Sequence, residues 1–214
     1  SDLNDGMKSI GEYAFRGTKL IKLNIPATVT SIGQYAFAST PIKSVTFTEG
    51  SQLKNIDNHA FYRCTSLEEF IMPNTVTELG TEQNNPNYDS NIFRECTSLK
   101  KLHFSDALSV IPRAICYECT SLQDLHLPEG LTTIKQYGFY RTSGLRKVDF
   151  PEGLRTIEEY AFQYCALDSA KLPIGLTSLG YYAFYGCNNL KYVELPSYIG
   201  NYNYNFRECT AVDK

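Results

Sequence analysis

One feature constrains this chain more than any other: a repeat that keeps step from end to end. The last position of a recurring Tyr-Ala-Phe-like tripeptide reads Phe15, Phe37, Phe61, Phe93, Cys116, Phe139, Phe162, Phe184 and Phe206. The steps are 22, 24, 32, 23, 23, 23, 22 and 22 residues, so one is long and the rest cluster tightly. Three residues after each comes a small thiol or hydroxyl: Thr18, Thr40, Cys64, Cys96, Cys119, Thr142, Cys165, Cys187 and Cys209. An aliphatic residue follows, as in Leu20, Ile42, Leu67 and Leu99, and then an apolar pair with one residue between, as in Leu23 and Ile25 or Leu102 and Phe104. Pro26, Pro73, Pro128, Pro151, Pro173 and Pro196 close that segment in six coils.

Self-similarity at such a period is the signature of a stacked-repeat architecture. Period-two alternation over a few residues describes a half-buried strand, and a proline at its end removes a ladder donor and stops it. One such strand buries too little to stand alone. Stacked coils let neighbouring strands pair in parallel and set each inward side chain on its own copy in the next coil. The expected fold is therefore of α/β class: a right-handed solenoid of about 23 residues per coil, with a parallel β-sheet on one face. The return leg, Ile-Gly-x-Tyr-Ala-Phe, is short, and one tight turn of 3₁₀ or α type is predicted there. Residues 1–214 read as a single domain of about nine coils, counting partial ends. Coil four carries an insertion over 80–91, rich in Asn. The last full coil, 197–206, loses the apolar pattern and reads Gly200-Asn201-Tyr202-Asn203-Tyr204-Asn205.

The charge balance narrows the partners. Lys and Arg total 20 against 23 Asp and Glu, a net charge of -3. That is too even for a nucleic-acid binder, which carries a basic stripe, and it leaves no polybasic patch for an anionic membrane. No apolar run approaches a membrane span, so direct membrane insertion is not expected. The start, Ser1 to Gly6, shows no signal-peptide pattern. The first coil is under way by Met7 and another begins shortly before Lys214, so the chain reads as a mature or excised piece of a longer polypeptide.

The consensus, roughly Leu-x-x-Ile-x-Leu-Pro-x-x-Val-Thr-Ser-Ile-Gly-x-Tyr-Ala-Phe-x-x-Cys-x-x-Leu, is clearest over 20–37, 145–162 and 167–184. It closely resembles the BspA-like branch of the leucine-rich repeats over essentially the whole chain. That family is known from surface proteins of anaerobic bacteria and from some protists, and is associated with adhesion to host matrix proteins such as fibronectin and fibrinogen. The resemblance implies a curved leucine-rich-repeat solenoid, a cell-surface or secreted location and a binding role. It transfers no ligand, because relatives share the scaffold columns and not the exposed ones.

The outward positions of the strands are the candidate binding face. One column is Lys22, Ser44, Glu69, Lys101, Asp124, Lys147, Ser169 and Tyr192; the next is Asn24, Thr46, Ile71, His103, His126, Asp149, Lys171 and Glu194. Their mixed signs permit cross-strand ion pairs, so the face is either a protein-binding surface or a solvated one whose charges cancel. The residues singled out for a protein ligand are Glu69, Lys101, His103, Asp124, His126, Lys147, Asp149, Lys171, Tyr192 and Glu194. His103, His126 and Asp149 are consecutive in one column, about 5 Å apart. They could hold a zinc ion with an open position, or be two exposed histidines beside ordinary charges.

The seven cysteines are an odd number, and no second pair completes a zinc site with Cys116 and Cys119. Reduced, buried thiols acting as small hydrophobes are expected; the alternative is a bridge between adjacent coils, Cys64 to Cys96 or among Cys165, Cys187 and Cys209. Tyr62, Tyr117, Tyr140 and Tyr185, just after the Phe column, are expected to be more exposed than the tyrosines two before it, and could contact a glycan or a protein. The insertion, with Asn84, Asn85, Pro86 and Tyr88, is either a binding loop or a tolerated surface loop. There is no phosphate loop, H-E-x-x-H or G-x-S-x-G, and a closed solenoid offers no apolar pocket of small-molecule type. The reading is a non-catalytic binding module with no cofactor, adhesive toward host or matrix protein. The alternatives are a structural spacer within a longer surface protein and a metal-binding strand face.

Overall fold

A computed structural model describes residues 3–80, 89–197 and 204–210. The strands run in chain order as β1 (Ser9–Ile10), β2 (Lys22–Ile25), β3 (Ser31–Ile32), β4 (Ser44–Phe47), β5 (Asn55–Ile56), β6 (Glu69–Ile71), β7 (Glu78–Leu79) and β8 (Lys101–His103). They continue as β9 (Val110–Ile111), β10 (Asp124–His126), β11 (Thr133–Ile134), β12 (Thr156–Ile157), β13 (Ser169–Lys171), β14 (Ser178–Leu179) and β15 (Tyr192–Glu194). All pairings are parallel. The result is a parallel β-solenoid of about 8 turns with ~23 residues per coil.

Most coils contribute to two walls. The alternating segments build a front sheet, β2-β4-β6-β8-β10, continued further on by the pair β13-β15. A second, side wall comes from the two-residue strands, β1-β3-β5-β7 and β9-β11-β12-β14. The second wall was not expected, because two residues of alternation are too few to register as a strand. It forms because the buried Ile column (Ile10, Ile32, Ile56, Leu79, Ile111, Ile134, Ile157) stacks on itself while its neighbours Ser9, Ser31, Asn55 and Thr133 face outward.

The predicted 3₁₀ or α turn on the return leg is corrected: no helix occurs among the described residues. Amides there alternate in destination. Tyr35, Phe37 and Ser39 donate to the carbonyls of Asn58, Ala60 and Tyr62 in the next coil, whereas Ala36 and Ala38 donate three residues back to Gly33 and Tyr35. The backbone makes this possible by turning left-handed twice per coil. The column two before the Phe position has φ between 48° and 59°, from Tyr13 through His59 and Asn91 to Tyr182. The column two after it does the same, from Gly17 through Arg63 and Glu118 to Glu208, with φ of 54–68°. A left-handed residue costs about 1–2 kcal/mol where it is not glycine, and it ends any right-handed helix. An inter-coil hydrogen bond and a stacked ring offset that cost at each step.

The Phe column is a continuous ladder on either side of Cys116, with parallel rings 5.1 to 5.8 Å apart from Phe15 to Phe93 and from Phe139 to Phe206. Phe70 wedges edge-on between Phe61 and Phe93, and Phe150 lies against Phe162 and Phe184 in the same way. Beside the ladder the thiol and hydroxyl column is buried and bonded from Thr40 to Cys187. Thr40 and Thr142 donate to the Phe carbonyl of their own coil, while Cys64, Cys96, Cys119, Cys165 and Cys187 donate to that of the preceding coil at 3.0–3.2 Å. All seven cysteines are free.

Phe139 is fully buried, 5.1 Å from Phe162 and edge-on to Phe104. Phe139→Ala should therefore destabilise the protein by about 3–5 kcal/mol, as for other buried aromatics that leave a cavity. A urea melt whose midpoint does not move would show that this position is not in the ladder.

Candidate functional site

On the front sheet the predicted columns face outward, and most of their charges are already matched. Lys101 Nζ lies 3.4 Å from the Asp124 carboxylate, and His103 Nε2 lies 3.2 Å from it on the other side. Lys171 reaches Glu194 at 3.5 Å, and the Tyr192 hydroxyl donates to the same carboxylate at 3.4 Å. Lys147 pairs with Asp149 at 2.9 Å. Each pair is solvent-exposed and contributes about 0–1 kcal/mol, less in salt. Glu69 is the exception among the singled-out residues: it has no ion-pair partner among the described residues.

The histidine row does not converge on a metal. The His103 and His126 rings are neighbours at 5.5 Å, but each turns to its own carboxylate, His126 Nε2 to Asp106 at 3.0 Å. His126 and a bond from Asn74 hold the Asp106 carboxyl below its ordinary value, against a small desolvation cost. Desolvation acts to raise Asp124, but His103 and Lys101 outweigh it and hold that carboxyl low. Asp149 belongs to a segment outside the β-ladder. Among the described residues no group of three or more His, Cys, Asp or Glu could hold a metal ion.

The return leg carries a second surface. Tyr137, Tyr160 and Tyr182 stack at 4.9 and 5.5 Å, so the faces of the middle ring are covered and only its edge meets solvent. Tyr62, Tyr117, Tyr140 and Tyr185 are half-buried like that ladder rather than more exposed, because they pack edge-on or stacked against it and each other. Guanidinium groups cover further faces: Arg94 over Tyr117 at 4.4 Å, and Arg141 over Tyr140 and Tyr164. The buried thiols of the column's middle are held protonated, whereas the half-buried Cys209 is held below its ordinary value by its hydrogen bond with Cys187, against a desolvation cost. Burial pushes Cys64 up to about 11 and Cys165 up to about 12, with bonds from Thr40 and Thr142 opposing it.

His59 replaces tyrosine in the stacked column, 4.4 Å from Tyr35, with its Nε2 3.1 Å from Asn91 Nδ2. Burial pushes the imidazole down to about 4; Arg94 adds to the shift and Asp89 and Asp57 oppose it. Asn84, Asn85, Pro86 and Tyr88 of the insertion lie outside the described residues.

Contrary to the sequence reading, concave apolar sites exist, and they open where a ladder fails. The β4–β6 ladder stops after Ser44↔Glu69, although β2–β4 runs four residues and β6–β8 three. A groove of ≈ 590 Å³ opens there, walled by Val45, Phe47, Ile71, Met72 and Pro73 with Glu69 at its rim. The segment 145–150 lies outside the β-ladder altogether, and a second groove of ≈ 530 Å³ runs there from Val148 and Phe150 to Leu172 and Leu195. A third recess, of ≈ 350 Å³ and lined more by polar than by apolar groups, sits where β7 and β9 do not pair. The first groove left a trace in the sequence. Four residues carry the chain from Ile25 to Val29 and from Met72 to Val76, but six from Phe47 to Leu53, with no proline and with Gly50 at φ 75°. The longer turn begins just where the β4–β6 pairing is lost, while Phe47 stays paired with Ile25 and edge-on to Phe70.

The sequence model of the BspA type leucine rich repeat region matches six copies over residues 1–83 and 86–213. No curated protein sequence matches. Among solved structures, a leucine-rich repeat protein from Bacteroides ovatus aligns at TM-score 0.72 and 24% identity, covering 96% of this chain and 57% of that one. A leucine-rich cell surface protein from Faecalibacterium prausnitzii aligns at 0.56 and 23%, covering 96% and 69%. The pneumococcal vaccine antigen PcpA aligns at 0.57 and 23%, covering 95% and 58%. These are likenesses of fold. No helix among the described residues is long and apolar enough to cross a membrane.

The environment of His59 predicts a pH dependence. With the folded imidazole near 4 and the unfolded one at 6.5, the unfolded chain binds the extra proton between those values. Stability should fall as pH drops from about 6.5 to about 4, by about 1–2 kcal/mol after discounting for partial exposure. His59→Tyr, which restores the column's residue, should remove that part of the slope in urea melts across this range. A wild-type slope that persists in both His59→Tyr and His59→Gln would assign it to other groups.

Proposed function

The chain belongs to the BspA-type leucine-rich repeat family, and we propose that it is a non-catalytic binding module of a surface or secreted protein, adhesive toward a host or matrix protein. The family consists of repeat proteins that are generally non-catalytic, and such repeats commonly bind proteins. The cell-surface description of the Faecalibacterium relative supports the location.

The observation that carries the reading is the outward face of β6, β8 and β10, where Glu69, Lys101, His103, Asp124 and His126 stand in ladder register on a rigid sheet. Fixed side chains on paired strands lose little conformational freedom when a partner docks. The self-pairing of most of these charges favours a second reading, a spacer that projects other domains. A partner must replace the Lys101–Asp124 and His103–Asp124 contacts with its own, whereas a spacer needs them only for solubility.

The test is a surface-binding assay against immobilised fibronectin, fibrinogen and a glycan panel. The binding module should saturate one of them, and the triple change Lys101→Glu, Asp124→Lys, Lys147→Glu should weaken it about tenfold, ~1.4 kcal/mol. The urea midpoint should barely move, since exposed pairs carry little stability. No saturable binding anywhere on the panel would favour the spacer.

A further inference from the structure

We infer that the gap between β4 and β6 is a docking site for an extended peptide segment that carries one basic side chain between apolar ones. The inference deepens the binding-module reading and rests on it, by naming a place and a class of partner.

Three observations meet at this gap. The first is an interrupted ladder. β4 remains fully paired with β2 on one side, and β6 with β8 on the other, yet across the gap pairing ends at Ser44↔Glu69. The facing backbone edges of Thr46–Phe47 and Phe70–Ile71 are therefore without ladder partners. Peptide main chain is the chemistry that such edges recognise, by strand addition. The second is the apolar lining. Val45, Phe47, Met72 and Pro73 line the groove, and Ile71 stands 47% exposed at its lip. An isolated exposed isoleucine is ordinary, but one beside a ≈ 590 Å³ apolar recess offers a contact for an alternate side chain of an extended segment. Thr75 adds a buried hydroxyl at the same groove with no partner among the described residues.

The third is charge. Glu69 brings a carboxylate to the rim; its register neighbour Lys101 turns to Asp124, so Glu69, unlike Asp124, Asp149 and Glu194, makes no ion pair among the described residues. A carboxylate that makes no ion pair, at the edge of an apolar groove, favours a lysine or arginine over an acidic side chain.

The test uses the full chain and a capped hexapeptide, acetyl-Val-Thr-Leu-Lys-Val-Thr-amide, followed by amide chemical shifts and fluorescence anisotropy. Shifts should centre on 45–48 and 69–73. Replacing the peptide's lysine by glutamate should weaken binding about tenfold, and methylating alternate peptide nitrogens should abolish it. Glu69→Lys should reverse the charge preference, Ile71→Asn should lose binding, and Ile21→Ser, on an exposed side chain outside the groove, should leave it intact. Because Glu69 and Ile71 are exposed, unchanged urea midpoints separate lost binding from lost fold. Absent binding, equal affinity for both peptides, binding that survives N-methylation, or shifts centred elsewhere would overturn the inference. The matrix-protein assay is scored separately, so a failed peptide site leaves the strand-face reading to its own result.

Discussion

The return leg is held by a division of labour among its amides, and the rest of the molecule depends on it. If every amide bonded within its own coil the leg would be a helical turn, and adjacent coils would touch only through side chains. Instead alternate amides cross to the next coil, as Phe37 does to Ala60 and Phe139 to Ala161. That crossing requires two left-handed residues per coil. It also fixes the coil spacing at about the 4.8 Å of paired strands, close enough for Phe, Tyr and thiol columns to lie on their own copies. The aromatic ladders are as much a consequence of this backbone pattern as a cause of it.

The two walls are interrupted in different coils. The side wall breaks between β7 and β9, beside the insertion, where β6 and β8 of the front wall pair across three residues. The front wall breaks at 145–150, where β11 and β12 of the side wall pair without a gap. No single plane cuts both, and one apolar cluster runs from Ile10 to Leu190. A solenoid's stability is roughly a sum of coil and nearest-neighbour terms, so a weak ladder in one wall is tolerated where the other wall and the Phe ladder bridge the same pair of coils. Surface recesses can thus form without dividing the core.

How legible this was depended on how many residues carried each signal. The Phe and thiol columns, eight or nine copies each, carried the solenoid, the coil length and the burial of the cysteines from Cys64 to Cys187 in their spacing alone, and even the odd member, Cys116, sits in the interior as its column demands. The side wall was missed because two residues cannot show a period. The left-handed turns were missed because Tyr, Ala, Arg and Glu do not announce positive φ as glycine does; only Gly17, Gly186 and Asn91 in those columns hint at it. The outward columns were read in the right register, Asp124 beside Lys101 and His126 beside His103. Their contacts were not, because the carboxylate that takes His126 is Asp106, from the turn after β8 and not from the strand face. The β4–β6 groove was marked by a step of 24 residues and an absent proline, a signal present in the spacing but outweighed by the assumption that a closed stack has no recess.

That distribution bears on where recognition can arise in such a protein. A regular stack is built to satisfy itself: its amides are paired with the next coil, its rings cover one another, and its surface charges find partners one coil away. A ligand that meets the regular part must displace contacts of equal quality, and net affinity is small when exposed pairs are exchanged for exposed pairs. At a defect the competing internal contact is missing. The unpaired edges beside β4, the open apolar wall at Ile71 and the Glu69 carboxylate, which makes no ion pair among the described residues, are groups the stack leaves open, so a partner that meets them gives up fewer existing contacts. Repeat irregularities of two residues, which cost the fold little, are therefore the economical place for one member of the family to differ in specificity from another.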